Sequence, residues 1–171
     1  MQMHNDIITT PIWRDMIGGR WYQTNAKPLR RARQSAKTIC SAFNACADSQ
    51  QRAALISTLL PNAQAIVSPP FYCDYGVNIF ASDTVSIEDN VVILDAAPVT
   101  IGNSVVIGQG SVLATLHHHS NSQERLRGMQ QAWPISIGAN VTLGRNVTVL
   151  PGVVIPDNTH VPDFHVVTKA P

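Results

Sequence analysis

Three consecutive imidazoles, His117, His118 and His119, open the polar stretch ATLHHHSNSQERLRGMQQAWP at residues 114–134. Imidazole titrates near neutral pH, so a histidine here can take the proton from a hydroxyl as that oxygen attacks a carbonyl. The same ring is also a metal ligand, and a polar run is also simply a solvated loop. If the segment is extended, successive side chains point to opposite sides, which makes it hard for one metal ion to engage all three. Two further histidines, His160 and His165, stand five residues apart. The three cysteines, Cys40, Cys46 and Cys73, lack zinc-ligand spacing and read as buried thiols of a reducing compartment.

A segment of this kind needs a regular frame, and the flanking sequence supplies one. Every sixth residue is aliphatic at Ala81, Ile87 and Ile93, then, after a two-residue slip, at Ile101, Ile107 and Leu113. Beyond the polar stretch the beat continues at Ile137, Leu143, Val149, Ile155, Val161 and Val167, with Ile135, Val141, Val147 and Val153 two residues ahead of the first four. Leu113 and Ile137 are 24 residues apart, four hexads, so the beat resumes in phase. Glycine follows the aliphatic at 102, 108, 138 and 144. A period of six is neither that of a strand nor that of a helix. It fits short strands joined by tight turns, each hexad one side of a triangular coil, with inward aliphatics stacked into a column and glycine easing the corners. A β-sandwich would require longer strands.

Upstream, Leu29, Ala32, Ala36, Ile39, Cys40 and Phe43 recur at three- and four-residue spacings, which predicts a helix over 28–46. Its basic run LRRARQSAK reads as a solvated face. Asp48 with Gln51 reads as a capping box opening a second helix that carries Leu55, Ile56, Leu59 and Leu60. Residues 1–65 are therefore expected to form a small helical cap. Residues 66–171 are expected to form the β-helix, with 115–134 extruded as a loop. Charged residues make up 13% of the 171 and the formal net charge is +1, a balance that argues against nucleic-acid or polybasic membrane partners. MQMHNDIITT has no basic region followed by an apolar run, and no apolar stretch approaches a membrane span, so the expected compartment is the cytoplasm.

GGRWY, AFN, PPFYCDYGVNI, VVILDAAPVTIGNSVVIG and LPGVVI, in that order between about Gly19 and Lys169, resemble the hexapeptide-repeat O-acetyltransferases of the maltose and galactoside acetyltransferase group. The resemblance implies a mainly β chain folded as a left-handed parallel β-helix and assembled as a homotrimer. It also implies acetyl-CoA as acetyl donor in grooves between subunits, and a sugar or related hydroxyl as acceptor. The family's extruded loop starts with a catalytic histidine eight residues after a Gly, seven before an Arg and sixteen before the Pro that restarts the coils. Gly110, Arg125 and Pro134 stand at those distances from His118 and from neither neighbour. Asp74 and Ser86 match acceptor-contacting positions, Arg145 the residue whose backbone N–H is an oxyanion-type donor, and Thr168 with Lys169 the pair near the CoA phosphates. Lysine suits phosphate as a point charge.

Several residues depart from that pattern. Glu88 stands where the family has an Asn at the reacting groups, and a carboxylate there is expected to raise the His118 pKa or reorganise the acceptor site. Thr142 replaces a Trp and Arg145 a small residue, while IPDNTHVPDFH replaces a Gly-rich stretch. Asp163 falls where a small residue admits the pantetheine arm, so Asp163 and Phe164 are expected to obstruct it. No counterpart of the family's tail, which helps hold the adenine, is expected after VVTKAP. The expected site is thus His118 as base, Asp74, Ser86 and Glu88 on the acceptor, and Arg145, Asp163, Thr168 and Lys169 on acetyl-CoA, without a metal. Two other readings stay open. One is a trimeric scaffold that has lost catalysis. The other is a zinc site of the γ-class carbonic anhydrase type, which lacks a third histidine because Glu124 stands 36 residues before His160.

Overall fold

The computed structural model describes residues 7–168. Its strands are two to four residues long, too short for a flat sheet, and they come round in threes to build a parallel β-helix with three faces. The first face stacks Ile79–Ala81, Val99–Ile101, Ile135–Ile137 and Val154–Ile155. The second stacks Ile66–Val67, Ser86–Ile87, Val106–Ile107, Thr142–Leu143 and His160–Val161. The third stacks Phe71–Cys73, Val91–Leu94, Val112–Ala114, Thr148–Val149 and Val166–Val167. All neighbours are parallel and in register, so like residues meet, as Ile87, Ile107, Leu143 and Val161 do.

The eight aliphatics that the beat marks as core, Ile87, Ile93, Ile101, Ile107, Ile137, Leu143, Val149 and Ile155, are all buried. They form three stacks, one per face, which meet in one continuous core, the buried column that the beat predicts. Each contributes about 1.5–3 kcal/mol by leaving water. The glycines after them have a different reason from the expected one. None of Gly102, Gly108, Gly138 and Gly144 is in the left-handed region; they are small because coils touch there. A Cβ on Gly102 would lie 2.7 Å from the Gly138 carbonyl carbon. The corners turn instead on Asn90, Ser104, Asn140, Asn146 and Asn158, all with positive φ, and on Phe164 at φ 62°. Asparagine tolerates that conformation; an aromatic residue rarely adopts it.

Paired residues are 20 apart in the first coils (Ile66 opposite Ser86), 18 in the last (Ser136 opposite Val154) and 36 across the polar stretch (Val106 opposite Thr142). The extra residues all enter at one corner, between the third face and the first, at 74–78, 95–98 and 115–134. The polar stretch is not irregular. Leu116–His118 and Met129–Ala132 form an antiparallel hairpin around the short helix Ser122–Leu126, and Tyr22–Gln23 adds a third strand. That small sheet carries no periodicity long enough to be read from sequence.

At the other end, helix Lys27–Ala45 lays Leu29, Ala36, Cys40 and Phe43 inward. The Asn44 amide pins it to the first strand, donating to Phe71 O (3.0 Å) and accepting from Phe71 N (2.9 Å). Helix Ser49–Leu59 is capped by Asp48, whose Oδ1 accepts from Gln51 N at 2.7 Å. Only half the expected capping box forms, because the Gln51 side chain meets the Cys46 thiol. An additional helix, Pro11–Ile17, starts on Thr10, whose Oγ1 accepts from Trp13 N at 3.3 Å. The cysteines also differ from expectation: all are free, but only Cys40 is buried, and Cys46 and Cys73 are partly exposed. Among the described residues no helix is long and apolar enough to cross a membrane.

Candidate active site

Strand alternation separates the three histidines. Tyr22, Gln130 and His118 stand opposite one another across the small sheet. Tyr22 Oη donates to Gln130 Oε1 at 3.2 Å, which turns the Gln130 NH2 toward His118 Nδ1 at 3.4 Å. His117 stacks on Trp133, ring centroids 5.3 Å apart and planes 22° apart. His119 lies against Trp21 at 4.3 Å, and its Nδ1 accepts from Asn121 N at 3.0 Å. Both neighbours are therefore committed to aromatic packing, whereas among the described residues the exposed His118 ring meets only Gln130. Arg125 closes the segment, its guanidinium donating to His119 O (3.0 Å) and Ser120 O (2.6 Å).

The corner from which this hairpin emerges is organised by a residue that the sequence reading did not single out. Asp95 is fully buried; its Oδ1 accepts from Asp74 N (3.1 Å) and Tyr75 N (2.8 Å), and its Oδ2 from Asn78 N (3.3 Å). Burial pushes its carboxyl up to about 8, against the pull of the N–H donors. The signal that marks it is the two-residue slip in VVILDAAPV. Asp74, held by that carboxylate, is partly exposed; burial raises its carboxyl and the Arg33 guanidinium opposes the rise. Tyr22 links the two parts. Burial first, and then the Asp74 charge, push its phenol up, and the same phenol holds Gln130 against His118.

The other expected residues lie elsewhere. Glu88, Arg145 and Asp163 all lie at the corner between the second face and the third, Arg145 and Asp163 in register on adjacent coils and Glu88 two coils before Arg145. Glu88 Oε2 accepts from Gln109 N at 2.8 Å, so within one chain it braces this corner and does not act on His118. Asp163 is not a free carboxylate facing the groove. Its Oδ1 accepts from Arg145 N (2.9 Å) and its Oδ2 from Arg145 Nε (3.0 Å) and Nη2 (2.8 Å). The Arg145 backbone N–H, expected as an oxyanion-type donor, is therefore already engaged. The same contacts hold the Asp163 carboxyl below the usual range, the backbone N–H foremost. Phe164, beside it, exposes 71% of its surface in a conformation taken by Asn90, Gly110 and Asn146 at the same corner of the earlier coils. Ser86 is half-buried on the outer side of the second face. Thr168 is exposed just past the last strand, and Lys169 lies outside the described residues.

One chain thus gathers His118 and Asp74 at one corner and Glu88, Arg145 and Asp163 at another. Comparison with known proteins gives a consistent picture. The family described as the maltose acetyltransferase hexapeptide capping motif matches residues 15–64. Galactoside O-acetyltransferase of Escherichia coli (strain K12) is 31% identical over 163 residues, 93% of this chain and 80% of that protein. The crystal structure of a maltose O-acetyltransferase from Clostridium difficile 630 superposes with a TM-score of 0.87 at 26% identity, covering 94% of this chain and 88% of that one. A hexapeptide-repeat acetyltransferase of Vibrio cholerae, solved in complex with acetyl coenzyme A, gives a TM-score of 0.83 at 29% identity over 93% of this chain and 88% of that one.

Proposed function

The chain belongs to the maltose and galactoside O-acetyltransferase family, and from that membership we propose that it moves an acetyl group from acetyl-CoA to a hydroxyl of a sugar or related small acceptor, with His118 as general base. The observation that carries the assignment is the isolation of His118. Of three adjacent imidazoles it alone packs on no aromatic ring among the described residues, and it stands on a hairpin extruded beside Asp74. Acetyl-CoA supplies an activated acyl carbon. The protein must hold the acceptor, take its proton as the oxygen attacks, and return a proton to the leaving thiolate. His118 is exposed on the hairpin, and Asp74 offers a carboxylate to an acceptor hydroxyl.

The second corner fits a ligand with phosphates and a long apolar arm. The Arg145 guanidinium and the exposed Phe164 ring lie on the last two coils of that corner, while the Thr168 hydroxyl follows Val166–Val167 at the far end of the third face. Donor binding requires Asp163 to release Arg145 or to keep it turned away. The test is a calorimetric titration with acetyl-CoA, followed by mass-spectrometric screening of hydroxylated acceptors. Saturable heat and an acetylated product that depends on His118 are expected. Neither heat nor thermal stabilisation at millimolar acetyl-CoA would sink the reading in favour of a scaffold, since a folded binder gains a few kcal/mol from excess ligand, by about RT ln(1 + [L]/Kd).

A further inference from the structure

Two thiols meet where the helical cap lies on the β-helix. Cys40 is on the inward side of helix Lys27–Ala45, and Cys73 ends the strand Phe71–Cys73. Their sulfur atoms are 3.9 Å apart. Both line an open cavity of about 520 Å³, shared with Tyr72, Asp74 and the side chains of Arg30 and Lys37. We propose that Cys40 and Cys73 are a reversible oxidation site, whose disulfide ties the cap helix to the strand leading into Asp74 and so throttles acetyl transfer. The throttle, unlike the bond, rests on the acceptor reading of Asp74 given above.

A disulfide needs its sulfurs about 2.0 Å apart. The two sulfurs are already in contact, and a bond requires them to approach by roughly a further 2 Å. The pair is also chemically asymmetric. The contact with Cys73 lowers the Cys40 thiol to about 7, while the same contact and burial raise Cys73. The contact thus favours a thiolate on Cys40, with the Cys73 sulfur beside it to resolve the oxidised form. With a peroxide as oxidant, the Cys40 thiolate attacks one oxygen and becomes a sulfenic acid; the other oxygen leaves as hydroxide and takes a proton to form water. The Cys73 sulfur then attacks Cys40, and the sulfenic hydroxyl departs with the Cys73 proton as a second water. Two thiols lose two hydrogens and one peroxide becomes two waters. A dithiol reverses the bond by exchange.

The consequence follows from position. Asp74 directly follows Cys73, and Asp95 fixes its N–H and that of Tyr75. Drawing Cys73 toward the helix works against those bonds and displaces the Asp74 carboxylate. Displacements near 1 Å in a site can cost on the order of 10²-fold in rate. Cys46 provides an internal control, since its thiol faces Asp48 O and Gln51 instead.

The experiment treats the full-length protein with hydrogen peroxide, blocks remaining thiols with N-ethylmaleimide, and digests without reductant. A Cys40–Cys73 linked peptide is expected, removed by dithiothreitol, with Cys46 recovered alkylated. Acceptor kcat/KM should fall by roughly ten- to a hundredfold and return on reduction. Cys40→Ala and Cys73→Ser should each keep their turnover through peroxide. Recovery of both Cys40 and Cys73 as alkylated thiols, or linkage only between chains, overturns the proposal. A bond that forms while turnover stays constant overturns the throttle. If the reduced protein acetylates no acceptor at all, it is the acetyl-transfer reading that fails, and the linked peptide still reports on the thiol pair.

Discussion

His118 differs from His117 and His119 by a single alternation of one strand, and that alternation sets what each substitution should do. His118→Ala is expected to lower turnover by about 10²–10⁴-fold with acetyl-CoA binding little changed, the usual contribution of a general base. His117→Ala and His119→Ala remove contacts with Trp133 and Trp21 and should lower melting temperature more than turnover. Equal losses of turnover at all three would defeat the assignment. Gln130 gives a finer test. Its NH2 faces His118 Nδ1, whereas a base acting through Nε2 wants Nδ1 protonated and held by an acceptor. Gln130→Glu supplies that acceptor and favours the imidazolium, so the rising limb of the kcat/KM profile should move to higher pH. At the second corner, Asp163→Ala frees both the amide and the guanidinium of Arg145. Acetyl-CoA should bind more tightly, and the gain should shrink with added salt. Unchanged affinity at low salt would show that this carboxylate does not guard the donor site. His118 was legible as a candidate because the family resemblance marks it by local distances to Gly110, Arg125 and Pro134. The engagement of Arg145 was not, because Asp163 arrives one coil later and only the register brings them together.

The hexad elements were legible because each position repeats the same demand, an inward aliphatic on a parallel ladder, and the beat survives the polar interruption in phase. Where a strand is two residues long and pairs once, as Tyr22–Gln23 does with Met129–Ala132, no period exists to be read. The helix Pro11–Ile17 left a shorter signal, Thr10 before Pro11, which marks a helix start but not its length. The element that the sequence most understated is the corner carrying all the insertions. It is held by one buried carboxyl, Asp95, whose pKa in the fold is about 8, against an ordinary 3.8. A carboxyl raised on folding favours the protonated fold. Its stability contribution is complete below the unfolded value and declines as pH rises, becoming flat above the folded one. The melting temperature should therefore fall between about pH 4 and about pH 8, and Asp95→Asn, which cannot ionise, should remove that part of the slope. A wild-type slope unchanged in Asp95→Asn would mean that the corner is not tuned by this group.

Across the whole molecule, the two groups of candidate residues sit at opposite ends of the third face. One hexad side spans about 20 Å at roughly 3.3 Å per residue, further than any side chain reaches. A single chain therefore cannot close a site containing both His118 and the Arg145 corner, and a symmetric neighbour can supply the missing half. A homotrimer, in which the loop of one subunit meets the second corner of the next, is testable by complementation. His118→Ala disables the loop, and Arg145→Glu sets a negative charge where the phosphate-bearing donor is expected. Each variant alone should be nearly inactive. When the two are coexpressed in equal amounts, an intact interface forms wherever an Arg145→Glu chain gives its loop to a corner from a His118→Ala chain. Random assembly in a cyclic ring makes that about a quarter of all interfaces. Recovery of roughly a quarter of wild-type activity in the mixture, with light scattering at the mass of three chains, is the expected result. No recovery in verified mixed trimers would place the whole site within one chain and rule out the shared arrangement.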